Sequence, residues 1–391
     1  MRAIALCLLL VLPGCQATRP PPPPAAPTLR VATYNGSLYD ERDGGLVARL
    51  QAGDEAARKI AAVIQHQRPD LLLLNEFDYD AAGRAADLFQ QRYLGVSQSG
   101  QAPIEYPYRF IAPVNTGVPS RMDLDRNGKV GGGNDAWGFG MHPGQYGLLV
   151  LSRYPIDVDA VRTFQHFHWK DLPGALSPVD PKTGQAWYAP EVWSKLRLSS
   201  KSHWDVPVRT PIGRLHFLVH HPTPPVFDGA EDRNGVRNRD EIRFWAEYLA
   251  PRPAPWLCDD AGRCGGLPAD ARFVIAGDHN ADPLDGDSTG NPMAALLEHP
   301  RVLSYPAPRS EGAVTSATAA GGANLAQRGD PAEDTGEFGP KVGNLRLDYV
   351  LPSRGLRVLR SGVFWPPPGE PGSDWIDATD HHLVWLDLAA D

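Results

Sequence analysis

The run Phe273-Val-Ile-Ala-Gly-Asp-His-Asn280 limits this chain more than any other feature, because an apolar strand there ends in Asp278 and Asn280, two residues apart. Side chains two apart in a strand point to one side, so both polar groups face a single site. The carboxyl ends of strands are also where open sheets place chemistry. Five further runs follow the same rule. Leu29-Arg-Val-Ala-Thr-Tyr-Asn35 ends in an amide, Asp70-Leu-Leu-Leu-Leu-Asn-Glu76 in a carboxylate, and Leu215-His-Phe-Leu-Val-His-His221 in imidazoles. Arg346-Leu-Asp-Tyr-Val-Leu351 carries Asp348 inside an apolar run, and Thr379-Asp-His-His-Leu-Val384 sets Asp380 beside His381. One such residue is ordinarily a buried polar group satisfied by hydrogen bonds. Six at strand-like positions are not accounted for by packing.

Helical patterns alternate with these runs. Asp54 through His66 reads as a helix with Asp54 near its start and Pro69 beyond its end, and Asp240 through Ala250 as a second, stopped by Pro251 and Pro253. Residues 300–340, rich in Gly, Ala and Ser, are expected to loop. No internal repeat is visible. Periodicity alone gives an α/β class, and 391 residues suffice for one large domain with a sizeable core.

The N-terminus predicts export. Arg2, an apolar run through Leu12 and Pro13-Gly-Cys15 describe a signal at 1–15, too short an apolar run to span a bilayer. Cys15 after Gly14 resembles a lipobox, which would make it the lipidated first residue of a bacterial lipoprotein, with plain secretion as the alternative. Residues 16–28, with Pro20 to Pro24 consecutive, read as a stiff tether, leaving 29–391 as one catalytic domain. The expected location is the bacterial cell envelope or the medium, with membrane contact only through the lipid anchor. Apart from Cys7 and Cys15, only Cys258 and Cys264 remain; their spacing suits a small disulfide loop better than a zinc site. The net charge of −8 becomes −9 once Arg2 leaves with the signal. That balance is unhelpful for tight duplex binding, which runs on neutralising phosphates with Lys and Arg.

The ordered series of polar strand ends resembles the endonuclease/exonuclease/phosphatase superfamily of metal-dependent phosphoesterases, from about Arg30 to about Leu386. Gly147-Leu-Leu-Val-Leu-Ser-Arg-Tyr-Pro-Ile156 is similar to that family's central strand and turn. His221-Pro-Thr-Pro-Pro225, followed by Asp228 and Arg233, looks like a secreted bacterial branch. The resemblance implies a four-layer sandwich, two packed mixed β-sheets flanked by helices, and a monomer. It implies a Mg²⁺ or Mn²⁺ site at Glu76 and Asn35, with Asp380 as second carboxylate; hard oxygen donors suit these ions. No activated Ser or Cys is evident, so water is the expected nucleophile. Asp278 would orient or deprotonate it, and Asn280 would hold the phosphate or the attacking group. His381 would bind the scissile phosphate, Asp348 fixing its ring. His221, chosen over His220 for the His-Pro that follows, would protonate the leaving oxygen or clamp a phosphate oxygen.

Three further features carry weaker signals. Asp123, Asp125 and Asn127, with Gly128 sixth, match the first half of a calcium loop for a structural Ca²⁺; the twelfth position is Asn134 rather than Glu, with Asp135 as substitute. An Asx-rich solvated turn reads equally well. Trp169, Trp187, Trp193 and Trp204, with His166, His168 and His203, could grip a lipid headgroup or a base, or pack as a lid. Arg233 and Arg237 are candidate phosphate donors. The expected function is divalent-metal-dependent hydrolysis of a phosphate mono- or diester: nucleic acid, lipid headgroup or small metabolite. The rival is a non-catalytic, calcium-dependent surface binding module on the same fold.

Overall fold

The computed structural model describes residues 27–391; the signal, Cys7, Cys15 and the tether up to residue 26 lie outside the described residues. In chain order the strands are β1 (Leu29–Leu38), β2 (Leu71–Phe77), β3 (Tyr108–Phe110), β4 (Leu148–Ser152), β5 (Arg162–Thr163), β6 (His203–Thr210), β7 (Gly213–His220), β8 (Phe273–Asp278), β9 (Gly336–Glu337), β10 (Asn344–Leu345), β11 (Asp348–Pro352), β12 (Leu356–Val363) and β13 (Val384–Ala390). A six-stranded sheet has the order β12-β13-β1-β2-β4-β3 and a five-stranded sheet the order β11-β8-β7-β6-β5, while β9 and β10 form a separate ribbon. Each large sheet is mixed, with one parallel pair, β1–β2 in the first and β7–β8 in the second.

The layers follow from alternation along each strand. Val31, Leu73, Val150, Phe217, Val274 and Leu386 face inward and fill one core between the sheets. Their outward neighbours on the first sheet, among them Ala32, Tyr34, Leu72 and Leu74, pack on Ile60, Val63 and Ile64 of the helix Glu55–Gln67. On the second sheet Leu218, Phe273, Ile275 and Tyr349 meet Ile242, Phe244 and Trp245 of the helix Arg233–Tyr248. Each fully buried Val, Leu or Phe contributes about 1.5–3 kcal/mol. The order helix, sheet, sheet, helix is the expected four-layer sandwich.

The helix Glu55–Gln67 starts as the sequence indicates, with the Asp54 side chain accepting the Ala57 N–H at 2.7 Å. The second helix runs Arg233–Tyr248 and so begins two turns before the expected Asp240. Its first half buries Asn238, Asp240 and Glu241 toward the body, so no apolar period marks it. The 300–340 stretch is not wholly loop: Glu311–Ala320 is helical, Ser310 capping the Ala313 N–H at 3.2 Å. The aromatic insertion is packed rather than free. Trp204 lies between the sheets, and Trp169 is buried against Trp193 with its Nε1–H on Asp240 at 2.8 Å. Cys258 and Cys264 are joined by a disulfide. Among the described residues no helix is long and apolar enough to cross a membrane.

Candidate active site

The alternation that fills the core also builds the site. On the inner face Val31 and Thr33 are followed by Asn35, Leu71 and Leu73 by Asn75, Val274 and Ala276 by Asp278, and Phe217 and Val219 by His221. In β11, Asp348 precedes the inward Val350. Asn35 pairs in register with Asn75, and Asp278 with Asp348. Gly277, φ +154°, permits the close approach of β8 to β7: a Cβ there would lie 2.2 Å from the His220 carbonyl oxygen.

Asp278 is the hub. Its Oδ2 accepts Asn35 Nδ2 at 3.1 Å from the opposite sheet and lies 3.3 Å from His221 Nε2 and 3.6 Å from His381 Nε2. Its Oδ1 accepts the Asn280 N–H at 2.8 Å. The Asp348 Oδ2 accepts His381 Nδ1 and the Thr335 hydroxyl, both at 2.8 Å. Burial raises the Asp278 pKa, but the His381 and His221 imidazoles outweigh it and hold the carboxyl well below its usual range. Burial lowers His381, yet Asp348 and Asp278 prevail and raise it well above an ordinary imidazole. Asp348 itself is pushed up to about 6, by burial against the pull of His381. The result is an imidazolium held between two carboxylates. Although Asp278, Asp348 and His381 stand close enough to hold an ion, this mutual engagement makes them a charge relay rather than a ligand set.

His220 faces the other way, into the helix layer, 3.2 Å from His203 and stacked edge-on to Trp245. Asn280 and Glu76 both adopt left-handed backbone, φ +50° and +57°, a conformation costly for non-glycine residues and concentrated at functional sites. Asn280 is anchored by Nδ2 on the Pro222 carbonyl at 3.1 Å.

Glu76 and Asp380 differ from the relay. Neither carboxylate accepts a hydrogen bond from any described residue, and Asp380 meets His381 Nε2 only at 3.9 Å. Both act on the phenol of Tyr39, whose pKa burial raises first and these carboxylates raise further. Two donor-free carboxylates beside the Asn35 amide, whose Oδ1 takes only the Ser37 N–H at 3.2 Å, are hard oxygen groups left for a divalent cation. These residues fit such an ion.

Arg233 and Arg237 are not brought to this site. Arg233 pairs with Glu231, and Arg237 spends its guanidinium on the carbonyls of Leu198, Trp137 and Arg197. Helix register decides this, since Arg237 points into the body. At the calcium-like loop, Asp123, Asp125 and the substitute Asp135 offer oxygens within 4.8 Å of one another. Asn127 instead donates its amide to Asp125 at 3.0 Å, and every oxygen of the three carboxylates accepts an N–H. These N–H bonds hold the loop in its shape.

Sequence reasoning passed over Asn75, Thr335 and Lys201. Asn75 is fully buried; its Oδ1 accepts the Asp278 N–H at 3.3 Å and its Nδ2 donates to the His220 carbonyl at 3.3 Å, so it bolts the two sheets together under the site. Its signal was its inward parity, shared with Leu71 and Leu73.

Comparison with known proteins finds a family match. The family model described as "Endonuclease/Exonuclease/phosphatase family" matches residues 44–381. Sequence comparison with curated proteins gives no significant match. An endonuclease/exonuclease/phosphatase from Beutenbergia cavernae is 20% identical with TM-score 0.50, over 93% of this chain and 72% of its own, a likeness of fold. Sphingomyelinase C from Streptomyces griseocarneus is 18% identical with TM-score 0.44, over 92% and 99% of the two chains. A beta toxin mutant from Staphylococcus aureus with bound magnesium ions is 11% identical with TM-score 0.41, over 93% and 100%.

Proposed function

The chain belongs to the endonuclease/exonuclease/phosphatase family, and from that membership and its site we propose a divalent-metal-dependent hydrolase of phosphate mono- or diesters that uses water as nucleophile. The observation that carries this reading is the Asp278 carboxylate, gripped from both sheets by Asn35, His221 and His381 beside the donor-free Glu76. Glu76, Asn35 and Asp380 would hold Mg²⁺ or Mn²⁺, which would supply Lewis-acid stabilisation of phosphate charge. Asp278, kept ionised by its partners, takes the proton from the attacking water. Asn35 and the Asn280 N–H fix the carboxylate in position for that transfer. His381 presents a charged Nε2–H to a phosphate oxygen while Asp348 holds Nδ1. His221, whose Nδ1 has no partner among the described residues, is placed to serve the leaving oxygen.

The signal-like N-terminal run, the lipobox-like Gly14-Cys15 and the proline tether support an envelope-anchored or secreted enzyme, and the Cys258–Cys264 disulfide agrees with an oxidising compartment. A calcium-dependent binding module would have no use for the assembled relay.

The test is hydrolysis by residues 28–391 of bis-p-nitrophenyl phosphate, p-nitrophenyl phosphate, plasmid DNA and sphingomyelin, after EDTA and after Mg²⁺, Mn²⁺ or Ca²⁺ is restored. Turnover that depends on added metal supports the reading, and the responsive substrate names the ester class. Folded protein inactive on all four removes the support.

A further inference from the structure

Lys201 is a charged residue with nothing to charge-pair with. It is 5% exposed, in the segment that leads into β6, and its ammonium has neither a hydrogen bond nor a salt bridge among the described residues. Lysines are rarely buried unless paired, because desolvating an ammonium is costly. Its backbone is fixed: the carbonyl accepts the Asn115 N–H at 2.9 Å, and neighbouring Ser200 bonds the His221 carbonyl at 3.4 Å and Glu241 at 2.6 Å. The side chain therefore starts beside catalytic His221 and is held there.

Burial lowers the Lys201 pKa, and the carboxylates whose fields reach the ammonium are Glu241, Glu76 and Asp278. Glu241 is already committed, one oxygen to the Ser200 N–H and the other to the Thr223 N–H at 2.7 Å. The remaining two are the metal-site and water-activating carboxylates. An ammonium that feels both and is bonded to neither is a cation kept for an anion that arrives from outside.

We propose that Lys201 Nζ binds a non-bridging oxygen of the substrate phosphate. The proposal rests on the phosphoesterase reading and supplies the cation that Arg233 and Arg237, tied elsewhere, do not. As attack proceeds, charge builds on the equatorial oxygens, and a preplaced ammonium stabilises it without reorganisation. The lysine touches substrate and is a catalytic residue in that sense. Its cost falls on the free protein, where the ammonium is desolvated and unpaired.

Lys201→Met and Lys201→Gln test this, with Asp278→Asn as reference, using inorganic phosphate as probe in saturating Mg²⁺. Thermal melts with and without phosphate are read alongside hydrolysis of bis-p-nitrophenyl phosphate. Phosphate should raise the melting temperature of wild type but not of either lysine variant. Both lysine variants should melt at or above wild type without phosphate. Their kcat/KM should fall about 10²–10³-fold, the size of losing one preorganised donor. Phosphate protection that survives the loss of the lysine overturns the proposal. So does failure of both variants to fold, or a clear drop in their melting temperature, since the lysine is then structural. If wild type hydrolyses none of the esters yet shows lysine-dependent phosphate protection, the anion site stands and the hydrolase reading falls. If wild type hydrolyses but phosphate never protects it, the reverse holds.

Discussion

Replacing Asp278 with Asn keeps shape and removes one charge, which makes it the sharpest probe of the relay. In the wild type Oδ2 faces Asn35 Nδ2 at 3.1 Å, His221 Nε2 at 3.3 Å and His381 Nε2 at 3.6 Å. An amide can still accept the Asn280 N–H through its oxygen, but its nitrogen then meets three nitrogens. His381 resolves the conflict by giving up its proton at Nε2 while Nδ1 still donates to Asp348 at 2.8 Å. Stripping one partner from a buried charge costs about 3–5 kcal/mol when the remaining charge persists. Here the imidazolium can neutralise instead, so the cost should be about 1–3 kcal/mol in urea denaturation. The chemical loss is larger. Without a base to take the water proton, kcat on bis-p-nitrophenyl phosphate should drop about 10²–10⁴-fold, or about 3–5 kcal/mol of barrier. Imidazole NMR should show His381 moving down from its raised pKa toward the ordinary value near 6.5. A folded variant that retains more than a tenth of wild-type kcat would refute the role of Asp278.

Two other substitutions read the scaffold. Asn75→Ala strands the buried Asp278 N–H and His220 carbonyl, at about 1–3 kcal/mol per group, so urea melts should show a loss of about 2–4 kcal/mol; a change below about 0.5 kcal/mol contradicts the bolt. Asp334 is pushed up to about 8 by burial and by Asp282, Asp285, Asp330 and Glu333. Its folded pKa lies above the unfolded value near 3.9, so the folded state binds the extra proton, and stability falls between about pH 4 and pH 8 by up to about 1.4 kcal/mol per unit. Asp334→Asn should flatten that slope in urea midpoints taken at pH 5 and pH 8; parallel profiles for the two proteins would count against the shift.

Six strand ends were legible because each is a local fact: an apolar period of two, then a polar side chain of known parity. Parity also separated His221 from His220 once β7 was placed, since adjacent residues face opposite layers. What supports the site was less legible because it is made between segments distant in sequence. Asn75 matters through β8 and β7, Thr335 through Asp348, and Lys201 through having no partner among the described residues. The helix Arg233–Tyr248 hid its first half for a related reason. Its inward face is polar there, with Glu241 and Asn238 holding loops instead of filling a core. The same reversal misplaced Arg237, whose charge looks exposed in sequence but is spent on carbonyls in the fold.

The charge of the site sets a final expectation. Glu76, Asp380, Asp278 and Asp348 bring four carboxylates to the site, more than the cationic groups His381 and Lys201 beside them, so the metal-free site is rich in negative charge. A phosphate anion entering it meets net repulsion, consistent with a chain whose overall charge is −8. A divalent cation at the donor-free carboxylates cancels the excess and leaves Lys201 and His381 free to attract phosphate. Metal and phosphate should therefore bind with positive coupling, of the usual 1–3 kcal/mol, which is about 5–150-fold in affinity. Calorimetry can measure both legs: phosphate binding with and without Mg²⁺, and Mg²⁺ binding with and without phosphate. Linkage requires the two factors to be equal. Phosphate that binds the metal-free protein as tightly as the loaded one would show that the carboxylates are not the repulsive charge, and that the ion is held elsewhere.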